Sequence, residues 1–227
     1  MIPPLQARTV FGDRLPLAER FAHWLIGAAT TRGLLGPREG DQIWERHLLN
    51  GVAIAALIEP ESVVIDLGSG AGLPGIPLLL ARPDLQMILV DSKARRAEFL
   101  SEVCADLKLD AAVVRARATA DGLVTSENTT ISALPEADVV TARAVAPLGD
   151  LGRWAAALLR PGGRLLAVKG ATATAELSRD LPLLESLGFL DARVLTPGAE
   201  EEPGVMSGST PPTTVIAMTL DRVSRET

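Results

Sequence analysis

Four glycines in eight residues, Gly68, Gly70, Gly72 and Gly75 in "DLGSGAGLPG", follow an apolar run that ends in Asp66. Placed after a strand and before a helix, glycines at this spacing let backbone approach a ligand closely. The next apolar run ends in a second carboxylate, Asp91, 19 residues after Gly72, where it can accept hydrogen bonds from ribose hydroxyls. Gly70 to Gly75 spells the G-x-G-x-x-G of a dinucleotide site, whereas the Asp-Leu-Gly-Ser-Gly start suits a cradle for S-adenosylmethionine. Charge separates the two. A pyrophosphate would be repelled by Asp66, while S-adenosylmethionine brings an ammonium and a sulfonium to the same place. Asp66 favours the cationic ligand, with the loop glycines Gly68 and Gly70 and the residues Asp91 and Ser92 as further candidates to contact it.

Two cations end later apolar runs. Arg143, in "TARAV", can orient a carboxylate or phosphate through paired hydrogen bonds, and Lys169, in "LAVKG", can offer a point charge to RNA. Arg46 and His47 sit together on an N-terminal helical pattern, open both to RNA contact and to ordinary packing. The single cysteine, Cys104, falls inside an amphipathic pattern away from strand ends, which reads as core and not as the nucleophile of cytosine C5 methylation. The Asn/Asp-Pro-Pro-aromatic signature of exocyclic adenine methylation is absent after the fourth strand. A chain without Tyr has no Ser-Tyr-Lys set for nicotinamide chemistry. No His, Cys or carboxylate cluster has metal-ligand spacing, so no metal is expected.

Elements that would position these residues follow from periodicity. "RLPLAERFAHWLIGAAT" and "DQIWERHLLNGVAIAALI" carry apolar residues at helical spacing, predicting a helical cap over residues 1–60. From Ser62 strands and helices alternate. Strands are expected at Val63 to Leu67, Gln86 to Val90, Ala112 to Ala116, Asp138 to Ala142 and Arg164 to Val168, with helices between them. That alternation implies a parallel sheet covered on both faces. A strand near Arg193 to Leu195 and a final "TTVIAMTL", with no helix between, predict an antiparallel edge. Ala120 to Glu136 and Pro197 to Pro212 read as loops. Residues 61–227 form one expected unit.

With 227 residues, 47% hydrophobic and 22% charged, the chain suits one main α/β domain. One cysteine and the lack of a charged-then-apolar leader pattern point to the cytoplasm, and no apolar run is long enough for a membrane span. The net charge of −6 opposes non-specific grip on nucleic acid. Residues 139–170, however, carry five Lys and Arg against one acidic residue, a basic segment in an acidic protein.

Together "VIDLGSGAGLPGIPLLLARPD", "LVDSKARRAEFL", "VVTARAVAPL" and "GGRLLAVKG" resemble the glucose-inhibited division protein B family, ribosomal RNA small-subunit methyltransferase G. The helix carrying Trp44, Arg46, His47 and Leu48 resembles that family's Arg-His motif. The resemblance implies a Rossmann-like, seven-stranded class I methyltransferase fold with its last strand antiparallel. It further implies S-adenosylmethionine as cofactor and methyl transfer to N7 of a guanine in small-subunit RNA. Its cofactor contacts fall on Gly68, Leu73, Ala118, Thr119 and Arg143. Thr119 stands where relatives often carry Glu, and Asn50-Gly51 where they often carry Asp-Ser. Guanine N7 is an unprotonated acceptor, so in-line attack needs alignment and no general base. Expected partners are therefore small-subunit ribosomal RNA or the small ribosomal subunit, met by a monomer. On the residues alone, a small-molecule methyltransferase on the same fold, or a binding module without turnover, stays open.

Overall fold

The computed structural model describes residues 2–36, 39–125, 129–131, 134–197 and 213–221. Its strands are β1 (Val63–Leu67), β2 (Gln86–Asp91), β3 (Ala111–Arg115), β4 (Arg117–Thr119), β5 (Gly122–Val124), β6 (Ala137–Arg143), β7 (Leu159–Lys169), β8 (Phe189–Leu195) and β9 (Thr214–Leu220). Seven of them form one sheet of order β3-β2-β1-β6-β7-β9-β8. β1, β2, β3, β6 and β7 pair in parallel, and β9 inserts between β7 and β8, antiparallel to both. The chain moves outward from β1 to β2 and β3, then returns to place β6 on β1's other side. That reversal opens a crevice beyond the carboxyl ends of β1 and β6.

Strands such as "VVIDL" are apolar on successive residues because both sheet faces are covered. Val64, Met87, Leu89, Val139 and Leu166 face one core; Ile65, Ile88, Val90, Val140 and Leu165 face the other. Helices α1 (Leu5–Phe11), α2 (Leu15–Trp24), α3 (Asn50–Val52), α4 (Gly75–Ala81) and α5 (Ala94–Leu107) belong to the first side, and α6 (Leu148–Leu158) and α7 (Ala173–Ser186) to the second. α5 buries Ala97, Leu100, Val103, Cys104 and Leu107, a helical stripe. The N-terminal helices share its hydrophobic cluster through Phe11, Phe21, Leu25, Trp44 and Leu48. Polar contacts lock that layer. Trp24 Nε1 and Arg20 both donate to Asp106, and Arg32 forms a two-pronged pair with Glu102.

Three features depart from the periodicity reading. The second N-terminal helix is not continuous: a π-helical stretch, Ile43–Leu49, runs into α3 and then a 3-10 turn, Ala55–Leu57. Gly51 lies where a Cβ would sit 3.2 Å from Pro77, so the turn packs directly on α4. The expected loop from Ala120 begins within the β4-β5 hairpin, whose three-residue strands are too short to show alternation. β7 starts at Leu159, five residues before the expected Arg164, and passes through Pro161-Gly162-Gly163 with a shift of register against β6.

Candidate active site

The glycine loop is tied down from both sides. Gly68 and Ser69 N–H donate to the Val90 carbonyl at 2.8 and 3.0 Å, and Ser69 Oγ donates to the Asp66 carbonyl at 2.9 Å. Gly75 N–H donates to Asp66 Oδ2 at 3.2 Å, and Gly70 N–H to Asp91 Oδ2 at 3.0 Å. Gly68 has φ 68°, and a Cβ there would stand 2.6 Å from Val145 Cγ2. Gly70, at φ 59°, would meet only the Gly68 carbonyl at 3.7 Å, leaving its outer side open to a ligand.

Beyond the loop lies a first cleft of ≈ 390 Å³ between the carboxyl ends of β2, β1 and β6. Leu67, Val90, Ala116, Ala118, Val145 and Trp154 give it walls suited to an adenine, and Gly68, Asp91 and Ser92 stand at its polar end. Asp91 is 2% exposed; its oxygens also accept Lys93 N–H at 2.9 Å and an Arg96 N–H at 3.3 Å. With about four acceptor positions on a carboxylate and three filled, Asp91 can accept one ribose hydroxyl. These residues fit the adenosine of S-adenosylmethionine. Arg117 and Arg96 complete the lining.

A second cleft of ≈ 740 Å³ opens on the other side of Ala144, which lines both. Arg143 points into it and against the N-terminal layer, donating to the Arg46 carbonyl at 3.0 Å and to His47 Nδ1 at 2.6 Å. A guanidinium only donates, so Nδ1 accepts and Nε2 carries the hydrogen to Glu39 Oε2 at 2.8 Å. Burial, and secondly the Arg143 charge, lower the His47 pKa. Asn50 Nδ2 donates to Thr213 Oγ1 at 2.6 Å, joining this corner to the residue before β9. Opposite, Lys169 Nζ donates to the Ala146 carbonyl at 2.9 Å and to Glu176 Oε2 at 2.8 Å. Burial alone would raise the Glu176 pKa, but hydrogen bonds from Lys169 and Thr172 bring it below the ordinary value.

Placement of the expected site residues differs in several cases. Gly68, Asp91, Ser92 and Ala118 line the first cleft. Asp66 lines neither cleft: it is fully buried under α4, with Oδ1 lacking any hydrogen-bond partner, and burial pushes its pKa up to about 7. It anchors the loop from behind. Gly70 and Leu73 are also absent from the linings, and Thr119 Oγ1 closes the hairpin by donating to the Gly122 carbonyl at 3.0 Å. Arg143 belongs to the second cleft, not the first. Lys169, expected as a charge for RNA, is only 10% exposed and is held by Glu176. Arg46, 54% exposed, stands at the rim of the second cleft with Glu39 at 3.7 Å.

Glu39, Glu176, Ala144 and Val145 were not singled out in the sequence. Only the position of Ala144 and Val145, directly after Arg143, signalled them. Burial raises the Cys104 pKa to about 11, in keeping with a core thiol. The acidic stretch "GAEEEPGVMSGST" lies outside the described residues. Among the described residues no cluster of three or more His, Cys, Asp or Glu could hold a metal, and no helix is long and apolar enough to cross a membrane.

The strand order, the antiparallel strand β9 in an otherwise parallel seven-stranded sheet and a glycine loop closing on an acid at the end of β2 define a class I S-adenosylmethionine-dependent methyltransferase. Solved structures share the fold. A predicted O-methyltransferase from Agrobacterium tumefaciens aligns with TM-score 0.55 at 18% identity, covering 76% of this chain and 81% of that one. The S-adenosylmethionine-dependent methyltransferase SibL aligns with TM-score 0.54 at 21% identity, covering 81% and 57%. Within this class, the chain belongs to the GidB family, rRNA small subunit methyltransferase G, whose pattern matches residues 14–202. The ribosomal RNA small subunit methyltransferase G of Mycolicibacterium smegmatis is 50% identical over 196 residues, 86% of this chain and 80% of that protein. That of Corynebacterium jeikeium is 47% identical over 192 residues, 85% and 83%.

Proposed function

We propose that this chain transfers the methyl group of S-adenosylmethionine to N7 of a guanine in small-subunit (16S) ribosomal RNA. The observation that carries this reading is the pair of clefts meeting at Ala144, one suited to adenosine and the other wide enough for a base. Family membership supplies the RNA.

The cofactor contributes an electrophilic methyl carbon on a positively charged sulfur. The guanine N7 lone pair is free, so no proton has to leave the acceptor. The second cleft suits that requirement, because its titratable groups are already engaged. His47 has one ring nitrogen accepting from Arg143 and the other donating to Glu39, so it has no lone pair left for a proton. Lys169 and Glu176 hold each other. What the chain supplies is alignment: the glycine loop and Asp91 fix the nucleoside end, and the Ala144-Val145 ridge sets where the two clefts meet.

The test is methyl transfer from labelled S-adenosylmethionine to small subunits lacking the modification and to naked transcript, followed by mapping of the labelled nucleotide. Label at a guanine N7 is expected, with subunits the better substrate. Label on another atom, or transfer only to small molecules, would overturn the reading.

A further inference from the structure

Several cations on this protein are neutralised locally: Arg20 by Asp106, Arg32 by Glu102, Arg82 by Asp84, Arg160 by Asp138, Lys169 by Glu176 and Arg179 by Asp180. A different arrangement holds at the β2-β3 edge of the sheet. There a groove of ≈ 290 Å³ is lined by Ser92, Lys93, Arg115, Arg117, Val124 and Thr125. Lys93, Arg115 and Arg117 are all exposed, and among the described residues none of the three has an ion-pair partner. Tertiary structure gathers them: Arg115 ends β3 beside Asp91, Arg117 opens β4, and Lys93 precedes α5. Ser92 and Arg117 line both this groove and the first cleft, so the two are continuous.

We infer that this groove docks the phosphodiester backbone of the RNA substrate, an inference that rests on the RNA reading above. Three cations converging from two strands and a helix start, in a protein of net charge −6, match a polyanion with regularly spaced phosphates. Trp154 faces the first cleft and not the groove, so the groove holds backbone and reads no base. Four strand spacings, about 19 Å, separate β3 from β7 at the second cleft. A phosphate held here therefore lies well away from the acceptor guanine. Its contribution is to binding that is equal in ground and transition states.

The experiment compares wild-type protein with Lys93→Gln/Arg115→Gln, whose residues line the groove alone, and with Arg8→Gln/Lys108→Gln. The latter pair removes the same charge from exposed positions on α1 and just after α5. Methylation of small subunits is followed from 50 to 300 mM salt, with S-adenosylmethionine affinity measured separately as the check on folding. The groove variant is expected to show KM for subunits raised about ten-fold at 0.15 M salt, kcat within two-fold, and a salt dependence of log kcat/KM shallower by about 1.5. The control pair is expected to match wild type. Unchanged KM and slope in the groove variant, or equal changes in both variants, would overturn the docking inference while leaving methyl transfer to RNA intact. Absence of RNA methylation by wild type would instead remove the reading on which it rests.

Discussion

Arg143, at the end of β6, donates to His47 Nδ1 at 2.6 Å across 96 residues of sequence, and that bond fixes which nitrogen of the imidazole carries its hydrogen. It also joins the carboxyl edge of the sheet to the N-terminal layer. Both groups are largely buried, so losing this bond would leave a buried imidazole nitrogen or guanidinium N–H without its partner. Replacing Arg143 by Lys keeps the charge but lacks the reach for both the Arg46 carbonyl and His47. Arg143→Lys should lower kcat/KM for subunits by about ten- to a hundred-fold, at about 1.5–3 kcal/mol for lost bonds of a charged donor. Steady-state kinetics on small subunits checks this; an unchanged value would mean the guanidinium geometry is dispensable.

Asp66 ties folding to pH. Its folded pKa, about 7, lies above the ordinary carboxylate value of 3.8 because burial disfavours the charge. Between those values the folded state holds a proton that the unfolded state has lost. The stabilisation is complete below about pH 4 and declines as pH rises through 7, by up to about 4 kcal/mol. Asp66→Asn should flatten that part of the stability profile, read by denaturant unfolding at pH 4.5, 6 and 8. A profile parallel to wild type would show that Asp66 is ionised throughout.

Gly68 faces Val145 at a distance that leaves no room for a side chain. Gly68→Ala should destabilise by about 1–3 kcal/mol and weaken S-adenosylmethionine binding at least ten-fold, since the residue is also at positive φ. Adding Val145→Ala removes the clash but not the backbone strain, so the double variant should recover stability only in part. Calorimetric titration and thermal unfolding together separate the two effects.

Lys169 and Glu176 form a pair whose side chains are 10% and 20% exposed. Removing one partner strands the other near the second cleft, so Lys169→Met alone should cost more stability than Lys169→Met/Glu176→Gln. A double-mutant cycle by urea unfolding should give a coupling of about 1–3 kcal/mol. Additive single changes would mean solvent already screens the pair.

By itself the sequence determined the alternation of strands and helices, the parallel core with an antiparallel last strand, and the glycine loop between Asp66 and Asp91. These are local properties: apolar runs, turn residues and spacing act over a few neighbours. It did not reveal that the stretch after Ile43 would wind as a π-helical turn or that three-residue strands would form a hairpin after Arg117, because neither is long enough to leave a period. Only the tertiary structure decided what each charged residue does. Asp66 is buried behind the loop and lines neither cleft, since alternate residues of a doubly covered strand point to opposite faces and its own side chain points under α4. Lys169 found Glu176, and Arg143 found His47, through contacts between elements far apart in the chain. Whether a cation meets a partner or stays free, as Lys93 and Arg115 do among the described residues, is settled by which strands become neighbours, and residue spacing carries no record of that.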